Sequence, residues 1–117
     1  MPYSILGKNA MLNALAALAI YVSLHDGDPG ESGTAEISGG SPAYARKSIT
    51  WNTAGSGTMD DSNVPVFDVP AGKTVKYVGF WSALTTGIFY GSATVTNEVF
   101  AAQGTYTLTD ADLDLNA

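Results

Sequence analysis

No cysteine occurs in the 117 residues. Disulfides, thiolate chemistry and cysteine-based zinc sites are excluded on that count. The compartment stays open, because proteins on either side of the redox boundary can lack cysteine. His25 is the only histidine, so multi-histidine metal centres and histidine-pair mechanisms are excluded by counting. Cations are also few. Lys8, Arg46, Lys47, Lys73 and Lys76 face eleven Asp and Glu, for a net charge of −6. Phosphate binding needs a cluster of cations, and five scattered ones do not make it, so no nucleic-acid partner is expected.

Long apolar runs are missing as well. Ala14 to Val22 is an unbroken apolar run of nine, whereas a bilayer-spanning helix needs about 20 residues. No membrane partner is expected. Only Lys8 precedes the run as a charge, and no small-x-small pair follows it, so it reads as core rather than leader. Charged residues make up 14% of the chain and apolar residues 45%. Disordered chains show the opposite balance. The length suits one domain, residues 1–117, large enough to hold its own core.

What is present reads as one helix followed by many strands. Residues 8–19 are rich in Ala and Leu, the best helix formers. Met11, Leu12, Leu15 and Leu18 follow the spacing of one apolar helical stripe. The remaining positions carry almost no charge, so the helix is expected to be covered on more than one side, by its own sheet or by a neighbouring subunit. Residues 1–7 form an arm before it. At Ile20 the period changes to two, with Ile20, Val22 and Leu24 alternating with Tyr21, Ser23 and His25.

A long Gly- and Pro-rich surface loop over 26–42 follows, then a strand over Tyr44 to Trp51. Further strands are expected at Thr58, at Val64 to Val69 and at Thr74 to Trp81, which has the strongest strand composition. Ile88 to Val95, Glu98 to Ala102, Gly104 to Leu108 and Leu113 to Leu115 complete the set. About eight short strands at this spacing predict a mainly β fold, a jelly-roll-like β-sandwich over 20–116 with one N-terminal helix.

Candidate chemistry is sparse. Asp26, Asp28, Glu31 and Glu36 offer oxygens of the kind a hard cation takes, but no calcium-loop pattern is present. Turn-shaping bonds from Asp26 and Asp28 are the expected role. Asp110, Asp112 and Asp114 alternate, as on a solvated acidic strand face. No Gly-x-Ser-x-Gly elbow and no phosphate loop occurs, and no two carboxylates are placed across a cleft. No catalytic residue, metal or cofactor is expected. Among the aromatics, Trp51, Tyr77 and Trp81 are the candidates for glycan or partner contacts if exposed.

The order of short motifs carries a resemblance. Leu-His-x-Gly-Asp-Pro-Gly spans Leu24 to Gly30, and Tyr-Ala-Arg-Lys begins at Tyr44 and runs on to Trp51. Val66 to Val75, Val-Gly-Phe-Trp at 78–81, Gly87 to Gly91 and Gln103 to Leu115 follow. This order resembles a family of small bacteriophage virion proteins labelled tail fibre proteins. The resemblance implies a non-enzymatic structural protein on the outer surface of the particle, partnered by copies of itself as a trimer or other symmetric oligomer and by other tail or capsid proteins. A module at the tail or tail fibre is the first expectation. A capsid decoration protein seated on capsomers and a host-glycan-binding module are the alternatives. The docking surface is expected on the helix, at Met11, Leu12, Leu15 and Leu18, with the 26–42 loop facing solvent.

Overall fold

The computed structural model describes residues 3–109 and 111–116. One helix, α1 (Ile5–Ala16), precedes eight strands: β1 (Tyr21–His25), β2 (Lys47–Ser48), β3 (Thr58–Asp60), β4 (Val66–Val69), β5 (Lys73–Trp81), β6 (Phe89–Phe100), β7 (Gly104–Thr107) and β8 (Asp112–Asp114). The mainly β class is as expected, in a sandwich-like arrangement. All strand pairs are antiparallel. A four-stranded sheet runs β2-β1-β5-β6, and two ribbons, β4-β7 and β3-β8, complete the structure. Phe67, Val69 and Tyr106 from the β4-β7 ribbon, with Leu108 just after it, share one core with Val22, Leu24, Val75, Val78 and Phe80 of the large sheet.

The helix begins three residues earlier than its composition predicts and ends three earlier. Ser4 starts it, its hydroxyl accepting a hydrogen bond from the Gly7 amide at 3.1 Å, the usual role of an N-cap serine. Ala19 ends it for a tertiary reason. That residue is fully buried in the main core, and the next amide, of Ile20, already bonds the Trp81 carbonyl of β5. The 8–19 stretch keeps its helical propensity, but packing takes Ala19 and the chain leaves the helix before it. Of the expected arm over 1–7, residues 5–7 are helical, and residues 1 and 2 lie outside the described residues.

The strand expected over 44–51 shrinks to Lys47 and Ser48. The segment pairs with β1 there and then crosses to the other side, where Trp51 bridges Asp61. Conversely, the two strands expected over 88–102 form one. β6 runs unbroken through Asn97 and absorbs the mismatch with β5 as register shifts. Val75 pairs with Glu98 and Tyr77 with Thr94, so β6 carries two extra residues there. A smaller shift lies between Phe80 and Trp81. Val75 and Val78 of β5, of opposite parity, flank the first shift and both lie in one core.

Candidate functional site

The large sheet has a second covered face, and its polar chemistry lies there. Tyr21, Ser23 and His25 of β1 pair with Trp81, Gly79 and Tyr77 of β5. On this face the Trp81 indole donates to Ser23 Oγ at 2.8 Å. Ser23 Oγ lies 2.6 Å from His25 Nε2, and His25 Nδ1 lies 2.7 Å from the Thr34 carbonyl. A carbonyl only accepts, so Nδ1 carries the proton and Nε2 accepts from the Ser23 hydroxyl. The chain Trp81–Ser23–His25–Thr34 is therefore fully satisfied with a neutral imidazole. Burial is the main force holding the His25 pKa below its ordinary value; the Thr34 bond and the Glu36 and Asp26 charges oppose it.

The 26–42 segment covers this face rather than facing solvent throughout. Pro29 and Gly33 are buried, and Ile37 is buried in the main core. The Pro29 carbonyl accepts from the amides of both Gly33 and Thr34. Gly33 has φ +76°, and a Cβ there would stand 2.5 Å from the Trp81 ring. Only glycine fits that combination. Asp28 Oδ1 accepts from the Gly30 amide at 2.9 Å, the turn-shaping role expected of it. Asp26 faces Lys73 at 3.8 Å.

Arg46 closes the edge of the same face. Its Nε and Nη2 grip the Glu36 carboxylate at 3.0 and 2.9 Å. Its Nη1 donates to the carbonyls of Ala83 and Thr86 at 3.0 and 2.8 Å. The guanidinium lies 3.7 Å over the Trp81 ring, a stacked cation–π contact. Tyr44 donates to Glu36 Oε2 at 2.8 Å and accepts from the Leu24 amide at 2.9 Å. Burial, and then the Glu36 charge, hold its phenol far above the ordinary pKa. Arg46 thus ties three segments together, with its donors directed at atoms of the fold.

Ser23 and His25 form a hydrogen-bonded pair that resembles part of a hydrolase triad. Both are fully buried, however, and a carbonyl takes the place of the carboxylate. The pair has no route to a substrate and serves packing. The Asp60, Asp112 and Asp114 side chains are exposed on the β3-β8 ribbon, with Asp60 opposite Asp112. Asp110 lies outside the described residues. No group of three or more metal-ligating side chains occurs among the described residues.

The three aromatic candidates are not brought together. Tyr77 and Trp81 share the loop-covered face. Trp51 meets Phe80 edge-on at 5.3 Å, on the opposite face. Trp81 is only 8% exposed, so it is corrected from a contact residue to a packing residue. Trp51 and Tyr77 are half-buried, and the Trp51 indole donates to the Ala19 carbonyl at 2.9 Å. The arrangement is not a shared platform for stacking a sugar.

The helix is the more unusual surface. Leu12 is 1% exposed and packs with Ala54 and Met59 in a small second core, so it too is corrected from docking residue to core residue. Beside it, polar side chains face inward. Asn13 Oδ1 accepts from the Ala54 amide and Asn9 Oδ1 from the Gly57 amide, both at 2.9 Å. Lys8 donates to Asn116 Oδ1 at 2.8 Å. The outward side holds Leu6 at 82% exposure, with Met11 and Leu18 also exposed; Ala10, Ala14 and Ala17 lie between them. Leu15 is half-buried against the main core. The inward side is apolar at Leu12 and Leu15, and the outward side is apolar as well at Leu6 and Met11, unlike the polar outer face of an ordinary surface helix. The 3.6-residue period alone does not reveal this, because the helix is apolar nearly all round.

The sequence matches the family model described as Podophage GP4 fiber I protein gp80 over residues 4–115. The chain belongs to that family. The family is one of bacteriophage fibre structural proteins, virion components of the particle exterior. The match spans nearly the whole chain, helix and all three β units included. No curated protein matches the sequence.

Proposed function

We propose that this fibre-family protein is a non-enzymatic structural module that self-associates at the tail fibre, with neighbouring copies packing their α1 helices against one another. The exposed apolar side of α1, with Leu6 and Met11, carries the reading. Asn13 and Asn9 already bond the Ala54 and Gly57 amides, and Leu6 and Met11 are left exposed on the outer side. Gly7, Met11 and Ala14 recur along that side at four-three spacing, the seam geometry of helices packed at a shallow angle. Small residues in the seam let backbones approach closely. No acidic residue lies on the helix, so copies of a chain with net charge −6 meet there without repulsion. A symmetric oligomer of this kind, a trimer being the first expectation, suits a protein that repeats around a fibre.

The test is the double variant Leu6→Lys, Met11→Lys. Sedimentation is expected to show a smaller assembly than wild type, with an unchanged far-ultraviolet circular dichroism spectrum. Quantitative mass spectrometry of virions is expected to find it depleted relative to the major capsid protein. An unchanged assembly and unchanged incorporation would remove α1 from the interface. The wild-type copy number separates locations: a few to a few dozen per particle fits the fibre, whereas hundreds would move the module to the capsid surface as a decoration protein. The glycan-binding alternative gains no support from Trp51, Tyr77 and Trp81, which divide between two faces.

A further inference from the structure

The second unusual surface is β6. It is the longest strand, twelve residues, and it lies at the edge of the four-stranded sheet. Among the described residues no strand pairs with its outer side. A bare edge presents a row of backbone donors and acceptors, and proteins that work as monomers usually guard such edges with bulges, which β6 has only outside Gly91–Thr94, and with Lys or Pro. β6 contains neither; its single charged residue is Glu98, and Val99 is 74% exposed. Along β6 the sandwich also stays open. A cavity of about 610 Å³ runs beside Ala93, Thr94, Val95 and Thr96, floored by Val78, Leu108 and Ala111.

An exposed backbone edge is chemically specific, because only another extended chain satisfies it. We propose that the occupant is a second copy of this chain, β6 pairing antiparallel with β6 across a two-fold axis near Ser92 to Thr94. Two observations select a second copy. The first is length. The other outer strand of the sheet, β2, has two residues, and the strands of the two ribbons have three or four. Within this protein only β6 matches β6, and a surface that matches itself makes an isologous contact. The second is charge. A two-fold at that point sets the two Glu98 side chains roughly 30 Å apart at 3.4 Å per residue, well beyond the screening length in physiological salt. The register shifts on either side leave Gly91–Thr94 as the regular middle of the strand. Pairing there makes one eight-stranded sheet from two copies and closes the open cavity against the neighbour.

The inference does not depend on the α1 interface, and one set of experiments separates them. Pairing at β6 makes the assembly even-numbered: a dimer alone, or six copies if α1 also joins three. The protein has no cysteine, so single variants Ser92→Cys, Thr94→Cys and Thr96→Cys report proximity cleanly. Under mild oxidation a disulfide-linked dimer is expected, fastest at the position beside the axis and at least tenfold slower two positions away. Adding Leu6→Lys and Met11→Lys is expected to leave this cross-link intact. Thr94→Lys is expected to weaken the β6 dimer at least tenfold by sedimentation while its circular dichroism spectrum stays that of wild type. A monomer at 100 µM (roughly the upper range of specific association), an odd-numbered assembly, or an even-numbered one with no cross-link at any of the three positions would each overturn the proposal. An odd-numbered outcome that depends on Leu6 and Met11 would leave the α1 reading standing and the β6 reading refuted.

Discussion

The loop-covered face of the sheet and the outer side of α1 have exchanged their usual chemistry. The buried face holds a histidine, a serine, an arginine and a glutamate; the exposed helix side holds leucine, methionine and alanine. The difference shows where each surface finds its partners. Each polar group of the Trp81–Ser23–His25–Thr34 chain has its partner inside the same molecule, so burial leaves nothing unpaired. The polar side chains of the helix bond the 54–57 segment and Asn116, and its outward side is left apolar. A satisfied polar interior and an exposed apolar helix side together support the proposed self-association.

The comparison can be broken first at Arg46. Arg46→Ala leaves the Glu36 carboxylate without its cation, with only the Tyr44 hydroxyl as donor, and takes the guanidinium from two carbonyls, at a site where the arginine is 8% exposed. Loss of one partner of a buried pair predicts destabilisation of about 3 kcal/mol in urea unfolding. Arg46→Lys is expected to recover only part of it, because an ammonium cannot grip Glu36 with two donors and cap the loop at once. Gly79→Ala comes next. A Cβ there would meet Ser23 Oγ at 2.6 Å and His25 Nε2 at 2.7 Å, and forcing it in is expected to cost about 2 kcal/mol. Ser23→Ala leaves the His25 and Trp81 nitrogens without their shared partner. A loss of about 1–2 kcal/mol is expected.

A smaller effect comes from pH. Because burial lowers the folded-state pKa of His25, the unfolded chain binds its proton more readily. The His25 contribution is complete above about 6.5, the ordinary histidine value. It falls as pH drops below 6.5 and through the lowered folded value. Urea titrations across that range are expected to show wild type losing stability more steeply than His25→Gln. The smallest stability effect belongs to the other region. Leu6→Lys, at 82% exposure, is expected to change unfolding free energy by under about 0.5 kcal/mol while reducing assembly. A large stability loss would mean that the outer side of α1 supports the fold of its own chain, and the contrast between the two regions would fail.

Residue pattern and composition settled a good deal. The absence of cysteine, the single histidine and the shortage of cations removed whole classes of chemistry by counting. The strand composition of 74–81, the alternation over 20–25 and the turn chemistry of Asp28-Pro29-Gly30 located the centre of the sheet, because local propensity and core packing agree there. The motif order pointed to a phage fibre family, which the match over residues 4–115 supports.

Tertiary structure decided the rest. It cut the helix at Ala16, because Ala19 was needed in the core. It buried Leu12 and Trp81, whose side chains are as apolar as those left outside. It folded the 26–42 segment over His25, an arrangement set by contacts that no local window contains. It also left β6 bare. A strand's composition says that it will pair, but which edge stays open depends on the order in which the sheet assembles. Local sequence sets what a residue prefers; the competition among distant segments for the same buried space sets which face is left for another molecule.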